Sequence, residues 1–297
     1  MSNLPSDDIR FGFRLHQELD GCLEWAEQLL DAGFSWVEVQ APNDSGASME
    51  PILSRIALPS QINRSVHSRF YGINLASLTP RVREAAVDYA MDDLHWAASI
   101  GASTLVIHAG EMYWYDFPPE GHPCRADFTR TISRLRREHL HAASESIVEL
   151  AGEARTMGIL LAVENLYAPW ELLCTPSDMA AFLNAAGPDV ACALDIGHAS
   201  IAGNKPLEYP TFLADRIKHA HIHVNDGLID CHWAPVRVPG QSSEWAVALA
   251  GLDAIPPLVM EVPTCDAGEC IRSMEMLKRM VMTERTRRKD AEAATGA

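Results

Sequence analysis

Eight short runs rich in apolar and β-branched residues recur along the chain, with longer amphipathic stretches filling the gaps, and few folds satisfy that alternation. The runs are Phe11–Arg14, Trp36–Gln40, Asn63–Ser68, Thr104–His108, Leu160–Glu164, Ala191–Asp195, Ile217–Val224 and Leu258–Glu261. Helical stretches are expected over Leu19–Ala32 before Gly33, from Thr79-Pro80 towards Ile100 and Gly101, and over Asp127–Met157 before Gly158. Others open at Thr175-Pro176 and cover Trp245–Leu252 and Cys270–Glu284. Pro in a first turn and Gly just past a last turn suit the unpaired backbone groups at helix ends. Repeated βα units imply a parallel sheet covered by helices, and eight of them imply an α/β fold, the (β/α)8 TIM barrel. A length of 297 residues is large for one core but ordinary for that barrel. No linker interrupts the pattern, so residues 1–297 read as one domain with flexible tails expected at about 1–9 and 285–297.

A buried strand should finish in apolar residues, yet strand after strand here ends in a metal-ligand type. His67, His108, Glu164, Asp195, His223 and Glu261 all stand at the end of such a run or one residue before it. In a barrel those ends converge on one mouth, where active sites are built. Any one of them alone would read as a structural residue; six together point to a shared site. Asp195 and His198 add a pair three residues apart, and Asp230 and His232 add another from a loop. In His219–Val224 side chains alternate, so His219, His221 and His223 share one face. His223 is nearest the mouth and is the expected ligand; His219 and His221 read as supporting donors or packing groups. His16, His95, His139 and His141 read as ordinary residues. Mixed imidazole and carboxylate donors without thiolate suit Mn²⁺, Zn²⁺, Fe²⁺ or Co²⁺ in a site with open positions.

The formal net charge of −16 disfavours nucleic acid as a partner, since no basic run precedes the short Arg285–Lys289 stretch. No apolar stretch approaches the roughly 18 residues that span a bilayer, so no membrane partner is expected. Seven scattered cysteines without a CxxC pair fit reduced thiols and a cytoplasmic protein.

The segments Tyr71–Ala76 after His67, Val106–Gly110, Ala162–Asn165, Leu194–His198, His221–Asp226, Asp230–His232 and Val259–Val262 together resemble the xylose-isomerase-like barrel superfamily. That superfamily joins sugar (phosphate) isomerases and epimerases to endonuclease IV. The resemblance implies that Glu164, Asp195, His223 and Glu261 form the four-ligand metal site of the isomerase/epimerase members. It makes His198 the additional histidine on the substrate side. His67, His108, Asp230 and His232 resemble the extra ligands with which endonuclease IV holds a three-metal cluster, so one to three divalent ions are implied. Two features depart from the family. Gln40–Ser45 replaces the DNA-penetrating segment of endonuclease IV, and Val238–Gln241 replaces a Gly-Glu-Gly turn. Arg237, Trp114 and Asn165 are expected substrate contacts, Trp114 from an aromatic loop over 111–125 that reads either as a lid or as a surface loop packed on its own aromatics.

The resemblance therefore implies a divalent-metal-dependent isomerase, epimerase or allied lyase acting on a small sugar or polyhydroxy metabolite. Glu164 and Glu261 would act as base and acid, and the ion would stabilise an enediolate. The alternative is a multi-metal hydrolase of phosphoesters, like endonuclease IV. A non-enzymatic binding barrel is the third class, disfavoured because a dense buried polar cluster is costly without a task. A small-molecule substrate is expected in either enzymatic class, and a homo-oligomer is left open.

Overall fold

The computed structural model describes residues 9–15, 21–42, 62–112, 118–263 and 266–295. Eight parallel strands close into a barrel in chain order: β1 (Phe11–Leu15), β2 (Trp36–Gln40), β3 (Asn63–His67), β4 (Thr104–Ile107), β5 (Leu160–Glu164), β6 (Val190–Asp195), β7 (Ile217–Ile222) and β8 (Leu258–Met260). Helices α1 (Cys22–Asp31), α2 (Pro80–Ser99), α3 (Arg125–Met157), α4 (Pro176–Ala186), α5 (Ile196–Ile201), α6 (Glu208–Leu213), α7 (Pro239–Ala250) and α8 (Ala267–Thr295) connect or follow them. The alternation read from the sequence is this closed (β/α)8 TIM barrel.

Strand periodicity sorts the side chains into two cores. Val37 and Val39 of β2, with Ala220 and Ile222 of β7, join the large apolar cluster between sheet and helices. There α1 buries Trp25, Ala26 and Leu29, and Phe13 meets Trp25 and Phe34 edge-on at 5.2 and 6.0 Å. Each of the larger aliphatic or aromatic side chains, fully buried, is worth about 1.5–3 kcal/mol. Val106, Ala162, Ala191 and Ala193 form a separate small cluster on the inner face. Their small volume leaves room for imidazoles and an indole inside the barrel. Gly12 serves the same end, because a Cβ there would lie 2.7 Å from the Trp36 Cβ.

Element boundaries differ from the sequence reading where ladder pairing stops. β4, β7 and β8 end at Ile107, Ile222 and Met260, so His108, His223 and Glu261 stand just past the last paired residue. Helix α7 starts at Pro239, ahead of Trp245, and α5 and α6 were not legible as separate elements. Helix α8 continues to Thr295, past the expected end at Glu284. Arg285 is buried there and donates to the Leu252 carbonyl at 2.8 Å, an anchor that polarity alone did not reveal. Among the described residues no helix is long and apolar enough to cross a membrane.

Candidate metal centre at the barrel mouth

Every strand from β3 to β8 delivers a donor to one end of the barrel, and backbone groups aim several of them. His67 Nδ1 lies 2.8 Å from the Ser68 carbonyl, His198 Nδ1 3.0 Å from the Asn165 carbonyl, and His232 Nδ1 2.8 Å from the Glu261 carbonyl. A carbonyl only accepts, so each Nδ1 carries the proton and each Nε2 turns to a carboxylate. His67 Nε2 and His108 Nε2 lie 3.1 and 3.0 Å from Glu164 Oε2. His198 Nε2 and His232 Nε2 lie 3.2 and 2.7 Å from Asp230 Oδ2.

Local structure explains the two pairs seen in the sequence. Asp195 ends β6 and also caps α5, accepting the His198 amide at 2.7 Å, and that turn swings His198 into the mouth. Val224 and Trp233 exchange two 2.8 Å backbone bonds, pinching off the loop that carries Asp230 and His232. Gly197 sits under the His223 ring, and a Cβ there would come within 1.9 Å of the imidazole. Gly197→Ala must therefore displace a fully buried His223. A loss of about 1–3 kcal/mol is expected from such overpacking, read as a lower thermal midpoint with weaker metal retention. An unchanged midpoint would show that the ring has space to yield.

The donors gather into three groups at the mouth, each with its ligand atoms within 4.8 Å of one another. His67, His108 and Glu164 form the first; Glu164, Asp195, His221 and Glu261 the second; His198, His223, Asp230 and His232 the third. Four carboxylates in so little buried space need compensating positive charge. Burial opposes ionisation of Glu164, but His221 first and then His108 outweigh it and hold the carboxyl well below its usual range. Burial likewise opposes ionisation of Asp195, and His198 and His223 override it. Burial works against a charged His198, but Asp195, Asp230 and Glu164 lift it to about 10.

His67 behaves differently and is informative. Burial and then the Arg14 charge lower it to about 4, so its ring is neutral at pH 7 and Nε2 presents a lone pair to Glu164 Oε2. An acceptor facing an acceptor is unfavourable unless a cation lies between them. In the third group, His223 Nδ1 and Asp230 Oδ1 are buried without hydrogen-bond partners and lie 3.7 Å apart. This nitrogen and oxygen donor set fits a divalent ion of the Zn²⁺, Mn²⁺, Fe²⁺ or Co²⁺ type.

The structure places the other expected site residues as follows. The four-residue group with Glu164, Asp195 and Glu261 includes His221, while His223, expected there from the resemblance, falls in the third group. Register is the reason: Asp195 pairs with His221 across β6 and β7, beside a pairing irregularity at Cys192/Ala193. His223, one inward position further on, bonds Asp195 Oδ2 through Nε2 at 3.0 Å and stacks on His232 at 4.0 Å. Asn165 is buried and brackets Asp195, accepting its amide and donating to its carbonyl, both at 2.9 Å; it braces a ligand instead of lining the cavity. Arg237 is turned to Glu269 of α8, with Nη2 2.9 Å from Oε2, and does not line the mouth. Trp114 and the rest of 113–117 lie outside the described residues.

The mouth opens into a cavity of about 760 Å³, suited to a small metabolite. His67, His108, Glu164, His198, Asp230, His232 and Glu261 line it, and Arg14, Gln40, Arg69 and Tyr167 stand among its other walls. Arg14, which the sequence reading passed over, pairs with Glu261 and Gln40. Arg69, also on that wall, is held by Asp93, which accepts its amide at 2.8 Å and its Nε at 2.7 Å, and its guanidinium lies 4.7 Å over the Tyr89 ring. Glu38, in the middle of β2, was also missed; a lone carboxylate between Val37 and Val39 was its one signal.

Known proteins place this geometry in context. The family described as Xylose isomerase-like TIM barrel matches residues 26–279. An uncharacterized protein of Methanocaldococcus jannaschii is 23% identical over 219 residues, covering 73% of this chain and 78% of its own. The crystal structure of a D-tagatose 3-epimerase-like protein superposes with a TM-score of 0.74 at 21% identity, over 94% of this chain and 99% of that one. An L-ribulose 3-epimerase structure gives 0.71 at 15% identity, over 96% and 98%. At those identities the likeness is one of fold. With the family match spanning most of the closed barrel and the donors at its mouth, the chain belongs to the xylose isomerase-like TIM-barrel family.

Proposed function

We propose that this protein is a divalent-metal-dependent isomerase or epimerase of a small sugar or other polyhydroxy metabolite. The observation that carries the reading is the convergence of Glu164 and Glu261 on one point. Their Oε1 and Oε2 atoms lie 2.8 and 3.4 Å from His221 Nδ1, one glutamate from β5 and the other just past β8. Glu164, Asp195, His221 and Glu261 would hold the ion. When bound, the ion supplies Lewis acidity that makes the C–H beside a substrate carbonyl easier to ionise. One glutamate then takes the proton from carbon, and the other returns one. His198 and Asp230, which line the cavity, would bond substrate hydroxyls. The sugar-epimerase names of the two structural relatives support this class of substrate.

The test is incubation of the Mn²⁺-loaded protein with a panel of pentuloses and hexuloses in D₂O, followed by NMR. Epimer formation with deuterium on the inverted carbon is the expected result. No exchange on any ketose, together with phosphoester cleavage, would overturn the reading.

One observation favours a second reading, a multi-metal hydrolase of phosphoesters. The donor groups centred on Glu164 Oε2 and Asp230 flank the four-residue group, as a cluster of ions would require. Elemental analysis of gently purified wild type and Asp230→Ala separates the two. The isomerase reading expects about one ion per chain, unchanged in the variant. Two or three ions in wild type, falling on substitution, would move the assignment to the hydrolase.

A further inference from the structure

At the mouth, β1 and β2 present a guanidinium and an amide where β3 to β8 bring acids and imidazoles. Phe11, Phe13 and Leu15 of β1, with Val37 and Val39 of β2, pack outward in the large apolar cluster. The alternate residues therefore face inward, and Arg14 and Gln40 are the ones nearest the strand ends. Because β1 lies between β8 and β2 in the closed barrel, Arg14 has Glu261 on one side and Gln40 on the other. Gln40 donates Nε2 to the carbonyls of His67 and Ser68 at 3.0 and 2.9 Å. Both carbonyls only accept, so the amide can sit only one way round, and its Oε1 accepts from Arg14 Nη2. Arg14 Nη1 pairs with Glu261 Oε1. Glu261 Oε2 is turned the other way, 3.4 Å from His221 Nδ1 and 3.9 Å from His232 Nδ1.

We propose that Arg14 is a positioning residue for Glu261: clamped by Gln40, it holds Oε1 so that Oε2 alone is offered to the ion. The inference rests on the metal-dependent reading given above. The pair is shielded from water, with 14% of the Arg14 side chain and 4% of the Glu261 side chain exposed. In such surroundings a charge-assisted bond fixes direction as well as supplying attraction. Neutralising Glu261 would need no more than a cation nearby. The clamp does more, because it ties that cation to two backbone carbonyls at the end of β3 and so to the frame of the barrel. A planar guanidinium suits the task, since its two terminal nitrogens reach two partners at once in a fixed geometry; an ammonium has the charge without the fork. Hydrogen-bonded ligating carboxylates are held in this way at metal sites generally, and the groups that hold them set how well they bind.

The experiment titrates metal-free protein with Mn²⁺ by calorimetry, comparing wild type, Arg14→Lys, Gln40→Leu, Glu261→Gln and the two double variants that carry Glu261→Gln. Arg14→Lys and Gln40→Leu leave every formal charge in place, so a change in affinity reports geometry. Each is expected to bind Mn²⁺ roughly tenfold more weakly. In the Glu261→Gln background the same changes should cost no more than about twofold, because residues that act through one another are not additive. Losses that persist in full in that background act elsewhere and overturn the proposal. Unchanged or tighter binding in either folded single variant, beside a weakened Glu261→Gln, also overturns it and leaves the metal site standing. A guanidinium that served stability alone would give that result with a lowered thermal midpoint. A wild type that binds no Mn²⁺, or a Glu261→Gln that binds it as well as wild type, overturns Glu261 as a ligand and this role with it. If Arg14→Lys does not fold, Gln40→Leu and its double variant decide by the same comparison.

Discussion

Glu261→Gln is expected to lower turnover by about 10²–10⁴-fold, the range general acid–base groups contribute. The side chain is buried just past β8, its Oε2 is 3.4 Å from His221 Nδ1, and its backbone carbonyl accepts from His232 Nδ1. Glutamine keeps the volume and the backbone bond, so the barrel should form as before. What it removes is the negative charge that binds an ion and the basicity that moves a proton. Arg14, which pairs with the carboxylate, would lose its anionic partner as well. The measurement is steady-state kinetics on the substrate found in the ketose panel, with far-UV dichroism as the control on folding. Turnover within a few-fold of wild type would remove Glu261 from the chemistry and leave Glu164 without a partner across the mouth.

Asp93→Ala should produce the largest loss of stability, about 3–5 kcal/mol, because it removes the carboxylate from a largely buried ion pair. Asp93 lies in α2 and is almost fully enclosed. Its Oδ2 accepts Ser68 Oγ at 2.7 Å and the Arg69 amide at 2.8 Å, while Oδ1 accepts Arg69 Nε at 2.7 Å. One carboxylate thus fixes the turn directly after His67. Arg69 keeps its Tyr89 contacts, a carbonyl at 2.9 Å and the ring, so the lower end of the range is expected. In thermal unfolding that corresponds to a fall of about 5 °C or more. A midpoint within 1 °C of wild type would show that water satisfies Arg69 at little cost. The same variant should loosen His67, read as faster metal loss to a chelator.

The strand ends were legible because a buried strand has a simple composition, and a histidine or acid where it should stay apolar stands out. His67, Glu164 and Asp195 end β3, β5 and β6, while His108 and Glu261 fall one residue beyond β4 and β8. The Asp195/His198 pair was visible for a similar local reason, since a strand end that caps a helix brings those two together over three residues. Glu38 and Arg14 were passed over because their partners are remote. Glu38 meets His219 from 181 residues away, and Arg14 reaches Glu261 only because β1 and β8 close the barrel. Arg237 and Asn165, expected substrate contacts, bond Glu269 and the Asp195 backbone, partners that no local motif discloses.

What the chain determines by itself is the periodic burial of eight strands and the chemical types at their ends, since both follow from local alternation and from the cost of burying polar groups. What only the closed barrel decides is level along its axis. His219, His221 and His223 share one face with a two-residue period, and nothing local separates them. Strand stagger does: the β6–β7 register pairs His221 with Asp195, so His221 lies among the carboxylates, and His223, one inward position further on, bonds Asp195 and stacks on His232.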